Sequence, residues 1–150
     1  LAEQTATAQP LTIRNVKLCK KVQGFGVYDA FARNVFLARR SHPAIIYAEL
    51  ENFGHRTDQD GKHVVELTQE VVLYNDADGL PVWRQRPVKI VDKSFNVRRD
   101  FFVVQIVKLS DRLSVGKYLL KVTITDEVGQ SVDEASIPIE IVADPKLVQP

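Results

Sequence analysis

A chain of 150 residues, 45% hydrophobic and 26% charged, is long enough to bury a core within one domain. Its formal net charge of +1 lacks the basic excess that nucleic acid or an anionic membrane selects, which argues against both as main partners. Cys19 is the only cysteine, so no internal disulfide can form, and no apolar run approaches the roughly 20 residues that span a bilayer as a helix.

Residues 1–10, LAEQTATAQP, are small, polar and without period, and read as a flexible tether. Leu rather than Met stands first, as in a piece trimmed from a longer product. LTIRNVKLCKKV (11–22) is a strand with Ile13, Val16 and Leu18 inward, its phase slipping once as a β-bulge would make it. GFGVYDAFARNVF (24–36) fits an irregular crossover better than a single helical turn. PAIIYAELENF (43–53) aligns Ile46, Ala48 and Leu50, and KHVVELTQEVVLY (62–74) aligns Val65, Leu67, Val71 and Leu73. NDADG (75–79) is a turn, from which LPVWRQRPVKI leads away. In DFFVVQIVKL (100–109) the aligned residues are Phe102, Val104 and Ile106, which are assigned to the core. In GKYLLKVTITDEVGQSVDEASIPIEIV (116–142), Tyr118, Leu120, Val122 and Ile124 alternate with polar residues. After a glycine-containing turn, Ala135, Ile137, Ile139 and Ile141 resume the pattern, which makes an antiparallel hairpin. Pro138 cannot donate to a ladder, so the last strand is expected at an edge or bulged there.

No long segment keeps a 3.6-residue apolar period. Short strands separated by turn signals predict an all-β fold, a two-layer antiparallel immunoglobulin-like sandwich of seven or eight strands over residues 11–142. Residues 143–150, with two prolines, are expected to trail off as a tail.

SVGKYLLKVTITDEVGQSVDEASIPIEIV resembles the closing hairpin of bacterial immunoglobulin-like and fibronectin-III-like domains, through Gly116, Tyr118, Leu120, Val122 and Asp126. The resemblance implies a tyrosine corner, with the Tyr118 hydroxyl bonded to nearby backbone. LTIRNVKLCKKVQGFGVYDAF, IIYAELENF and RRDFF, followed by that hairpin, are similar to an uncharacterised family of exported bacterial proteins over most of residues 11–142. That likeness implies an extracytoplasmic location and brings no activity and no catalytic residue with it.

The candidates for chemistry are few. TDQDGK and NDADG contain D-x-D-G, but neither fills an EF-hand loop: Arg56 and Leu67 would fall at its first and twelfth places in one, Tyr74 and Gln85 in the other. Both read as turns. His55 and His63 can meet across the base of a hairpin, yet two imidazoles fall short of a zinc set, and His42 lies apart. Cys19 has no accompanying catalytic pattern, and if inward it is a small apolar group. Glu49 and Glu51 share a strand face and read as its solvated side rather than an acid/base pair. No metal, cofactor or catalytic residue is assigned, and the chain is expected not to be an enzyme. Four residues are assigned as possible ligand or partner contacts. Trp83 and Tyr74 flank the NDADG turn and would make an aromatic platform for a sugar ring; Arg98 and Arg99 would contact anions or sugar oxygens. The leading expectation is a non-catalytic protein-interaction or scaffold module of an exported bacterial protein, whose partner is another protein or another part of a longer chain. The alternative is a carbohydrate-binding module using those aromatic and arginine side chains. No membrane insertion is expected.

Overall fold

The computed structural model describes residues 9–98 and 100–148. It contains ten strands: β1 (Thr12–Gly24), β2 (Val27–Ala30), β3 (Val35–Leu37), β4 (His42–Glu51), β5 (Arg56–Thr57), β6 (His63–Asn75), β7 (Pro81–Ser94), β8 (Phe101–Leu109), β9 (Gly116–Asp126) and β10 (Ser131–Val142). A 3-10 turn follows at Pro145–Leu147. The strands form an immunoglobulin-like two-sheet sandwich. The first sheet has the order β2-β1-β4-β8. The second runs β3-β10-β9-β6; β7 pairs with β6 along one edge, and β5 pairs with the first residues of β6 on the other.

The segment with no clear period is indeed the crossover. Gly26 takes φ +71 in the turn after β1, a conformation that costs glycine little. β2 then pairs back on β1 in the first sheet, whereas β3, a few residues later, pairs parallel with β10 in the second. One stretch therefore belongs to both layers and cannot keep a single alternation. The slip in β1 is also present, as a register shift between Ile13 and Asn15 against β4. Pro138 lies opposite Leu119 on β10, which pairs with β9 on one side and meets β3 only at Glu140–Val142 on the other. Its missing N–H thus falls at an edge.

The core lies between the sheets. Ile46, Ala48 and Leu50 of β4 face Leu67, Val71 and Leu73 of β6, Leu120, Val122 and Ile124 of β9, and Ile137, Ile139 and Ile141 of β10. All are buried, as expected from their alternation. β8 is the correction. Phe102, Val104 and Ile106 do not enter the core; Phe101, Val103, Val107 and Leu109 do. Register explains the inversion: Phe101 lies opposite Leu50 and Val103 opposite Ala48, both inward residues, so the odd-numbered side chains of β8 share their face. β8 is apolar at nearly every position, and the inward phase carries Gln105, which pattern reading turns outward.

Two devices close the sandwich. Along the β1–β10 side, the main-chain N–H of Leu11 donates to Ser131 Oγ at 2.9 Å and that of Ile13 to Asp133 Oδ2 at 2.8 Å. Near the β9–β10 turn, buried Asp126 accepts N–H bonds from Gly54 (2.6 Å), Gly129 (3.0 Å) and Val128 (3.2 Å), tying the hairpin to the loop after β4. The tyrosine corner is formed: Tyr118 Oη donates to the Ser114 carbonyl at 2.6 Å.

Candidate interaction surface

The outward row of β8 is the least expected surface of the molecule. Val104 is 46% and Ile106 67% exposed, and both are aliphatic. They stand beside Tyr47 and Ile45, their partners on β4. β8 also ends its sheet: among the described residues it pairs only with β4. The Ile106 carbonyl is met by Gln85 Nε2 of β7 at 3.4 Å, a long contact. It therefore points away from β4. Strand alternation turns the N–H and C=O groups of Phe102 and Val104 the same way, off the free edge. An apolar row and an open edge coincide on one strand, the combination that monomeric proteins usually avoid.

An aromatic cluster borders this row. The tip of the β1–β2 hairpin reaches over the outer face of the first sheet. There Gly26 N–H donates to Tyr47 Oη at 2.8 Å, Tyr28 lies 4.5 Å from Tyr47 between ring centroids, and Phe25 meets Phe102 edge-on at 6.3 Å. Tyr47 faces outward on its strand yet is fully covered. Its hydroxyl donates to Glu49 Oε2 at 2.6 Å. Burial, reinforced by the Glu49 hydrogen bond, pushes its pKa up to about 12. Glu49 thus serves Tyr47, and Glu51 pairs with Arg14 at 2.8 Å; the two carboxylates hold different partners.

The assigned contact residues are scattered. Trp83 lies opposite Leu73 and packs half-buried against the core. Tyr74, one residue on from Leu73, faces the other side of the sheet, with Lys121 Nζ 5.9 Å from its ring centre. The two rings sit on opposite faces, so the aromatic platform is not formed. Arg98 is exposed and engages Asp92, Nε to Oδ2 at 3.1 Å. With Glu51, Asn52, Phe53, His55 and Val97 it lines a shallow hollow of about 400 Å³. Arg99 lies outside the described residues.

The remaining candidates have structural partners. Asp58 Oδ1 accepts from the N–H groups of Asp60 and Lys62, both at 2.9 Å, and Gly61 takes φ +80. These bonds, that from Lys62 foremost, hold the Asp58 carboxyl below the usual range. The second turn is built alike, with Asp78 accepting from Leu80 N–H and Gly79 at φ +71. His55 and His63 do meet, with ring centroids 4.9 Å apart. Among the described residues no group of three or more His, Cys, Asp or Glu could hold a metal ion. Cys19 is buried, but opposite Ile45 on the outward side of the first sheet rather than toward the core. Burial first, then the charge of Asp29, pushes its thiol pKa up, away from the reactive range.

Sequence reasoning missed the β8 surface because it counted those residues as core. The signal was present: a strand apolar on both faces, carrying one glutamine, must expose one row unless both faces are covered.

No family model matches the chain, and no curated protein matches it in sequence. Among the described residues no helix is long and apolar enough to cross a membrane. A solved structure shares the fold. The chain is similar to the C-terminal domain of Wzt at 13% identity, covering 91% of this chain and 77% of that one, with a TM-score of 0.54. Weaker likenesses extend to an immunoglobulin-like protein from Pseudomonas aeruginosa (12% identity, 91% of this chain, 99% of that one, TM-score 0.38). Another is the CARDB domain of a Pyrococcus furiosus protein solved with di-metal ions (11%, 88%, 96%, TM-score 0.45). The likeness to the Wzt domain supports the two-sheet fold alone, and no sequence family is identified.

Proposed function

We propose that the chain is a non-catalytic protein-interaction or scaffold module of an exported bacterial protein, and that it meets its partner through the β8 edge and the outward row Phe102, Val104 and Ile106. One observation carries this: Ile106, 67% exposed, lies on a strand whose second edge has no strand partner among the described residues. Such an edge supplies main-chain hydrogen bonds for affinity, and the alternating side chains beside it supply selectivity. Export rests on the resemblance over residues 11–142. Sugar binding loses its support, since it needed Trp83 and Tyr74 on one face.

The test is a photo-crosslinking residue placed at Ile106 in the native host, with Val132 as control. Val132 is similarly exposed, at 58%, but lies on β10 in the second sheet. Position 106 is expected to capture protein, another copy included, where position 132 does not. Equal capture at both positions, or none at 106, would reject the assignment.

A further inference from the structure

We infer that the partner at the β8 edge is a second copy of this chain, paired antiparallel through β8 about a two-fold axis at Val104. The inference rests on β8 being the contact surface, and goes further by naming what covers it.

The argument is self-complementarity. In a two-fold antiparallel pair, directly opposed residues share a face. With Val104 opposite itself, Phe102 faces Ile106 of the other copy and Asp100 faces Lys108. Asp100, in the bend one residue before β8, and Lys108, within it, are both exposed and bracket the apolar row. The pairing thus closes an Asp–Lys contact at each end and shields the row between them. Directly opposed side chains stand about 4.5–5.5 Å apart at Cβ, within reach of an ion pair. Register is specified too. Moving the axis two residues to Phe102 sets Asp100 against Val104, and moving it to Ile106 sets Lys108 against Val104; each leaves a charge against an apolar side chain. On the inward side, Phe101 would face Val107 and Val103 would face Gln105, so the layer above the core continues across the axis. The long Gln85 contact to the Ile106 carbonyl gives way to the Phe102 N–H of the second copy.

Sedimentation of the whole purified chain against concentration tests this. The wild type is expected to dimerise reversibly. Asp100→Lys and Lys108→Asp should each weaken the dimer roughly tenfold by setting like charges opposite one another, and the double variant should recover it. Val104→Cys should oxidise to a covalent dimer, while Val132→Cys, exposed on the other sheet, stays monomeric; Cys19 is buried and does not compete. A chain monomeric at every concentration, or a double variant as weak as the singles, overturns the second copy as partner. If crosslinking at Ile106 still captures a different protein, the interaction module stands and only its self-pairing falls; if neither occurs, both fall.

Discussion

At the scale of residues, the side chains that hold the fold are polar ones the hydrophobic pattern does not announce. Tyr118 is the exception, since the resemblance of its hairpin to immunoglobulin-like domains implied a corner, and its hydroxyl finds the Ser114 carbonyl four residues back. Asp126 was legible as a turn residue, but its bond to Gly54 crosses 72 positions and no local spacing shows it. Asp126→Ala would remove the acceptor of three part-buried N–H bonds and should cost about 1–3 kcal/mol, read as a lower urea midpoint. Gln69 lies in the inward row of β6 at 1% exposure, with neither amide atom partnered by protein. Gln69→Met keeps the shape and removes that penalty, so the midpoint should rise by about 1 kcal/mol of stability. Tyr47 sets an alkaline limit. Its folded pKa of about 12 lies above the ordinary value near 10, so the folded state holds its proton more tightly than the unfolded chain. Its contribution is complete below about pH 10 and is lost as pH rises toward about 12. Stability measured over that range should fall, and Tyr47→Phe should flatten the fall.

At the scale of elements, legibility followed burial on one face. β4, β6, β9 and β10 each bury one face against the other sheet, and their inward residues could be named from alternation. β8 could not be phased, because Phe101 to Val104 are all apolar and only pairing with Leu50 and Ala48 of β4 selects a face. The β1–β2 hairpin was readable as irregular but not as a cover, since its contacts to Tyr47 and Phe102 depend on where the tip lands. The corrected phase makes a sharp contrast. Val103→Lys places an unpaired charge in the core and should cost more than about 3 kcal/mol, whereas Val104→Lys, on the exposed face, should cost less than about 0.5 kcal/mol in dilute, monomeric protein. Chemical denaturation of the two variants measures both; a larger cost for Val104→Lys than for Val103→Lys would restore the rejected phase.

At the scale of the whole molecule, the two long sides of the sandwich are treated differently. Between β1 and β10, Ser131 and Asp133 meet main-chain donors across the layers. On the other side β8 and β7 end their sheets, met by the long Gln85 contact described above, and the apolar row lies on that open side. The aromatic platform disappeared because adjacent strand positions face opposite ways, which two residues flanking a turn do not disclose without their register. What remains is an immunoglobulin-like sandwich whose β8 edge has no strand partner among the described residues. Amide hydrogen exchange along β8 tests that most directly. In dilute protein the amides of Phe102, Val104 and Ile106 should exchange quickly while those of Val103, Gln105 and Val107, bonded to β4, exchange slowly; raising the protein concentration should slow the first three. Equal protection of all six in dilute protein would contradict the account.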